Sequence, residues 1–509
     1  MRKTSIWEKD FGGGDEVRED EMKELGDDDD GELECSTENE VRGGEEFWEE
    51  ESNSVENNGK TVSFSPSNKR AKEMLTDRLS ALPDCLLIHI LSYLGVKRAA
   101  ITSVLSRRWQ SLWAELPKLD FRESCTEKTC NLLSWVHRTL VLRTGNYLDE
   151  LHISMSYDDC FASDVNTWVE FAVRNKVKQL HMELHARTGV FYTLPQVIYS
   201  CSSMTRLWLQ RCIVAPEKSI SWKHLTELEI QDVELHEHVI QKILSGGPVL
   251  SRLYLSGCWG FEHLDIDSQS LHYLTIEDRD DEHTGLFLEI SAPYIRYLDI
   301  SPFLIERKEV RITNVPSLIY ADIQFHITDI GVSEEEMIDM INFFEDIKHV
   351  KELRVGCQCI QVLSKLAESG WQLPKSKRER LTVEAWRDGN GISGIVVLLE
   401  SSPNLETLVI RCHDEYEEID WGPLTRCDLA CDLLRLKTVE LTNYADPNIH
   451  GEPMLTMARI LLQRATALEE MVVEAFGNLT EFPSVFLDIS EELLNYPRSS
   501  QKAVVVLHP

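Results

Sequence analysis

The 509-residue chain has no long apolar run; its longest purely aliphatic stretches, residues 395–399 and 503–507, are five residues each. A bilayer-crossing helix needs ~20 apolar residues, so no membrane span is expected. The start, MRKTSIWEKDFGGGDEV, is charged but is not followed by an apolar segment of ~7–15 residues, so no secretory leader is expected and the protein should stay inside the cell. Basic charge is scarce. Lys and Arg total 52 against 86 Asp and Glu, a net charge of −34 that would repel a phosphate backbone, so nucleic acid is not an expected partner. The 13 cysteines are odd in number and irregularly spaced, which fits free thiols in a reducing compartment. Cys357-x-Cys359, Cys427-x3-Cys431, His181-x3-His185 and His236-x-His238 have no second ligand pair at finger-like spacing, so no metal or other cofactor is expected. The chain has no G-x-x-x-x-G-K-[ST], G-x-S-x-G or H-E-x-x-H, and the carboxylates of residues 414–420 read as a solvated loop rather than an acid–base pair. No catalytic residue is expected.

With 42% hydrophobic and 27% charged residues, the chain can nonetheless bury a sizeable core. The charge is uneven. Residues 1–60 hold 22 acidic and 7 basic side chains, −15 of the total −34, and residues 1–74 read as a disordered acidic tail. Near the end of the tail, Lys69-Arg70-Ala71-Lys72 could serve nuclear import, and the expected location is nucleus, cytoplasm or both.

Residues 75–121 then form a dense helical block. Leu86, Leu87, Ile90, Leu91 and Leu94 make one apolar helix stripe, entered through Pro83 and ended at Gly95. A second stripe, Ala100, Ile101, Val104 and Leu105, runs into Trp109, Leu112 and Trp113. So short a block cannot enclose all these side chains in a core of its own, and part of the apolar surface is expected to dock a partner.

From Leu148 the phrase L-x-x-L-x-L recurs, at residues 148–153, 177–182, 204–209, 225–230, 250–255, 271–276, 295–300, 318–323, 350–355, 405–410, 436–441 and 468–473. Anchored on the fourth position, the intervals are 29, 27, 21, 25, 21, 24, 23, 32, 55, 31 and 32, and Leu381-Thr-Val383 splits the 55 into 28 and 27. A period of 20–30 residues with alternating apolar positions predicts an α/β leucine-rich solenoid in which each unit adds one strand to a curved parallel sheet. Gly389-Asn-Gly391-Ile-Ser-Gly394 satisfies G-x-G-x-x-G literally, but it sits between repeat phrases rather than in consecutive βαβ units, which disfavours dinucleotide binding.

Residues flanking the inward leucines should face the concave side. They include Trp208, Tyr254, Tyr273, Tyr297, Asp299, Tyr320 and Asp322. Tyr273, Tyr297 and Tyr320 hold one equivalent position in three successive repeats and should form a ladder, either stacking to brace the sheet or offering rings to a partner. Neighbouring acids point to a target protein with a basic or amphipathic segment.

The helical block carries a family resemblance. Asp77-Arg78-Leu79-Ser80-Ala81-Leu82-Pro83-Asp84, with Leu86-Leu87, residues 90–94, residues 102–109 and Leu112-Trp113, resembles the F-box of plant F-box/LRR proteins. Residues 122–430 are then the leucine-rich repeats. Residues 431–509, with Cys431, residues 434–441, residues 465–473 and Tyr496-Pro497-Arg498-Ser499-Ser500, are similar to the FBD module that often follows such repeats. The resemblance implies a non-catalytic substrate receptor of an SCF-type ubiquitin ligase. Its F-box would dock on a Skp-family adaptor that joins a cullin, and its repeats would hold the protein to be ubiquitinated. By position, Leu82, Pro83, Leu86, Ile90, Leu91, Val104 and Trp109 would contribute to the adaptor interface. The alternatives are a scaffold whose F-box no longer engages the adaptor, and a ligand-sensing receptor with a basic pocket. Few Lys or Arg residues occupy concave positions, which disfavours the second.

Overall fold

The structure is a computed structural model that describes residues 79, 81–123, 129–145, 147–186, 189–277, 287–304, 309–326, 334–386, 391–413, 429–442, 452–474 and 490–508. The acidic tail, its basic cluster, Gly389 and the carboxylates of residues 414–420 lie outside them. Among the described residues no helix is long and apolar enough to cross a membrane.

Fifteen parallel strands form one sheet whose spatial order is the chain order. They are β1 (Lys118–Arg122), β2 (Glu150–Tyr157), β3 (Gln179–Ala186), β4 (Arg206–Gln210), β5 (Glu227–Gln231), β6 (Arg252–Ser256), β7 (Tyr273–Glu277), β8 (Tyr297–Leu304), β9 (Tyr320–His326), β10 (Glu352–Val355), β11 (Arg380–Trp386), β12 (Thr407–His413), β13 (Thr438–Thr442), β14 (Glu470–Glu474) and β15 (Val504–His508). The register follows the repeat phrase. Leu151, Leu180, Leu207, Leu228, Leu253, Leu274, Leu298, Ala321, Leu353, Leu381, Leu408, Val439 and Met471 lie side by side across neighbouring strands. Each anchor, and the residue two further on, is buried. Period-two burial on one face of a parallel sheet leaves the alternate residues on the other face. The sheet also has an extra strand at each end, placing Leu119 beside Leu151 and Val505 beside Met471.

Repeat length decides how the chain returns. Where the spacing is 21–24 residues between Leu253 and Ala321, the return is a short strand: His263–Asp265, Phe287–Ser291 or Glu309–Thr313, which pair into a second small sheet. Spacings of 27–32 residues from Ala321 to Leu408 instead accommodate α6 (Glu334–Asp346), α7 (Cys357–Glu368) and α8 (Ile392–Glu400). The preceding helices are α1 (Asp84–Ser92), α2 (Val96–Ile101), α3 (Thr129–Leu142), α4 (Ala162–Arg174) and α5 (Glu237–Gly246), and α9 (Glu452–Arg464) follows. Helices pack 8–10 Å apart and strands about 4.8 Å apart, so helical returns splay the convex side whereas strand returns do not.

Two of the G-x-G-x-x-G glycines, Gly391 and Gly394, serve this packing. A Cβ at Gly394 would lie 2.1 Å from the Ile360 carbonyl oxygen, and one at Gly391 would lie 2.6 Å from Ile360 Cγ2. The Gly394 amide donates to Ser364 Oγ at 2.9 Å. The glycines therefore let α8 approach α7 closely instead of admitting a phosphate to the backbone.

Candidate functional site

Two surfaces answer to the sequence-derived residues. The first is the helical block. Pro83 caps α1 with ψ at 151°, and its carbonyl accepts from the Leu86 and Leu87 amides. Gly95, at φ 70°, makes the turn into α2 in a conformation that disfavours other residues. Arg108 ties the entry turn to the far end of the block through Asp84, at 2.6 Å, and the Leu82 carbonyl. A 3₁₀ turn (Thr102–Val104) follows α2, and a second (Leu112–Glu115) leads into β1.

The stripes divide between core and solvent. Leu87, Leu91, Val96, Ala99, Trp109 and Leu112 are buried in the core that also contains Leu119 and Phe121 of β1. Leu86, Ile90 and Leu94 are exposed, as are Ile101 (65%), Val104 (82%) and Leu105. The assignment by position therefore needs correcting at two residues. Leu91 and Trp109, at 0% and 3% exposure, are buried in the core and offer no surface. Pro83 is exposed and Leu82 is partly buried against the core. Leu94, Ile101 and Leu105 belong with the exposed set. They lie in the same sequence stripes, but periodicity alone does not say which side of a stripe the core covers.

The second surface is the concave face. Tyr273, Tyr297 and Tyr320 are register partners, as expected. The rings of Tyr273 and Tyr297 stack at 4.4 Å and 6°, and Tyr297 and Tyr320 lie 6.1 Å apart with a 40° tilt. The ladder thus braces the sheet, while Tyr273 and Tyr297 each remain 38% exposed. The Arg252 guanidinium lies 5.0 Å from the Tyr273 ring centre and also pairs with Glu227, which Arg206 meets at 2.9 Å. The Tyr254 hydroxyl donates to Glu277.

Beyond the ladder the charges pair with one another. The Tyr320 hydroxyl donates to Asp322 Oδ2 at 3.2 Å, and Arg354 lies 3.2 Å from Asp322. Arg354 Nε donates to Glu384 Oε1 at 2.9 Å, and Glu384 also meets His413 and, at 3.5 Å, Arg411. Burial pushes the Glu384 carboxyl up, but His413, Arg354 and Arg411 outweigh it and the net shift is downward. Asp299 differs. Burial, then the nearby charge of Asp322, pushes its carboxyl up to about 6, with Ser301 donating to it at 3.2 Å.

At the other end of the concave face, His152 on β2 and His181 on β3 are register partners, with ring centres 3.9 Å apart. The Trp208 ring, partly buried on β4, packs edge-on against His181. Glu183 lies two residues beyond His181, on the same face. Burial, then His152, pushes the His181 imidazole down to about 3, while His152 and Ser154 hold the Glu183 carboxyl at about 2 against the opposing effect of burial. His152, Glu183, Arg354, Glu384 and His413 were not among the sequence-derived residues. Their only signal is the anchor register, which places residues some 30 positions apart side by side.

Comparison with known proteins agrees with this division. The F-box domain profile matches residues 79–121, and a profile described as "FBD-associated F-box protein At5g56370, LRR repeats" matches residues 165–362. The chain is 27% identical over 432 residues to the "Putative F-box/LRR-repeat protein At5g02930" of Arabidopsis thaliana, covering 81% of this chain and 90% of that protein. It is 30% identical over 343 residues to the "F-box/LRR-repeat protein At5g02910" of the same plant, covering 66% and 72%, and 27% identical over 451 residues to the "Putative FBD-associated F-box protein At5g22720", covering 82% and 94%. With its apolar helical block followed by a register-locked leucine-rich sheet, the chain belongs to the plant F-box/LRR-repeat family, with FBD-associated F-box proteins among its relatives.

Proposed function

We infer that this chain is the substrate-recognition subunit of an SCF-type ubiquitin ligase. Its F-box docks on a Skp-family adaptor and, through it, on a cullin. The observation that carries this is the uncovered apolar set Leu86, Ile90, Leu94, Ile101, Val104 and Leu105, on and beside two helices that also bury Leu87, Leu91, Val96 and Ala99 in the core. An apolar patch of this kind on a soluble chain fits a protein interface. The repeats, including the FBD-like residues 431–509, hold the target through Trp208, Tyr254, Tyr273, Tyr297, Asp299, Tyr320 and Asp322. A basic or amphipathic segment suits the acids and exposed ring edges there. The receptor performs no bond chemistry; it holds target lysines near the charged ubiquitin carrier and raises their local concentration. It works in the nucleus, the cytoplasm or both.

Co-expression of the full chain with a Skp-family adaptor and a cullin, followed by size-exclusion chromatography with mass determination, tests this reading. A complex with one copy of each is expected. A folded chain that elutes alone contradicts it.

A further inference from the structure

We propose that His152, His181 and Glu183 form a binding site for a divalent transition-metal ion of the zinc class on the concave face. Metal binding there requires neither the adaptor nor a target protein.

Parallel register places His152 directly beside His181, and the strand repeat puts Glu183 on their face. Both Nε2 atoms approach the carboxylate of Glu183, each 3.8 Å from a different oxygen. One donor atom from each residue can be chosen so that all three lie within 4.8 Å of one another. A tetrahedral zinc bound at ~2.0–2.2 Å needs donors about 3.4 Å apart, which small side-chain rotations from these separations would supply.

The two imidazole nitrogens are short of partners. Among the described residues neither Nε2 has a hydrogen-bond partner, although His152 is only 7% exposed. A buried polar atom without a partner is costly, and two adjacent ones aimed at a shared carboxylate call for an occupant. Behind His152, Asp120 Oδ1 lies 3.6 Å from Nδ1, where carboxylates commonly orient a ligating imidazole. Two imidazoles and one carboxylate suit Zn²⁺, Co²⁺ or Ni²⁺ rather than Mg²⁺ or Ca²⁺. Three protein donors leave a coordination position for water or an incoming side chain.

The test uses the full chain, stripped with chelator and titrated with Co²⁺ and then Zn²⁺. We expect one equivalent of Co²⁺ to develop a visible absorption band without thiolate charge transfer, Zn²⁺ to displace it, and Mg²⁺ to have no effect. His181→Gln and Glu183→Gln should each weaken binding at least tenfold and remove the metal-induced rise in melting temperature, while circular dichroism shows the fold retained. The double variant of the exposed histidines, His236→Gln with His238→Gln, should bind as the wild type does. Failure to bind Co²⁺, or binding unchanged by His181→Gln and Glu183→Gln, would overturn the site.

Discussion

The helical block and the concave sheet solve the problem of a binding surface in opposite ways. The block leaves Ile101, Val104 and Leu105 in water and fixes them with a buried row beneath, whereas the sheet satisfies Asp322, Arg354 and Glu384 within itself. An uncovered apolar surface gains from nearly any complementary apolar partner. A self-paired polar surface gains only from one that replaces or extends its own pairs, because stripping water from charged groups offsets much of the Coulombic attraction. The difference suits one constant partner and one selected partner.

The comparison rests on which side chains hold the block in place. Trp109→Ala should destabilise the chain by about 3–5 kcal/mol, because a large side chain is removed from a closed core. Urea midpoints would read this, and a stability loss near zero would mean that Trp109 is surface after all. On the sheet, Arg354→Ala leaves two largely buried carboxylates without their cation. A loss of about 2–3 kcal/mol is expected, reduced from the fully buried case because Arg354 is itself 28% exposed. A neutral effect there would show that the network is not stabilising.

Asp299 sharpens the contrast through pH. Its folded carboxyl sits at about 6 against an ordinary 3.8, so the folded state holds the proton more tightly than the unfolded chain. The ionised group therefore costs stability above pH 6, and the cost fades as pH falls towards 4. Asp299→Asn should stabilise the chain by about 1–3 kcal/mol at pH 7.5 and make little difference near pH 4. Denaturant melts at the two pH values read the difference, and an equal effect at both would remove the pH assignment. Tyr297→Ala takes the middle ring from the ladder. The loss beyond simple burial should be about 0.5–1.5 kcal/mol, with adaptor binding unchanged. Failure of that variant to fold would make the ladder essential to the sheet.

Much of this was legible in the sequence, for a physical reason. A buried pair at i and i+2, recurring at the repeat period, fixes strand, face and register together, and so the thirteen anchors from Leu151 to Met471, Leu381 among them, fall into line. The two ends were not legible. Lys118-Leu-Asp-Phe-Arg122 follows a proline inside the helical block, and the run of valines at residues 504–506 has no alternation to reveal a strand. Leu91 and Trp109 looked available because nothing local marks which side of a stripe joins the core that also contains Leu119 and Phe121. The Arg354–Glu384 pair and the His152, His181 and Glu183 cluster needed cross-strand neighbours, which no local pattern encodes.

The most direct measurement compares adaptor affinity of the full wild-type chain with that of the double variant Ile101→Glu, Val104→Glu, both checked for equal melting temperature. Burying each apolar side chain is worth ~1.5–3 kcal/mol, so a one-to-one wild-type complex and an affinity at least 100-fold weaker in the variant are expected. Equal affinity, or no wild-type complex, would contradict adaptor docking through the exposed stripe.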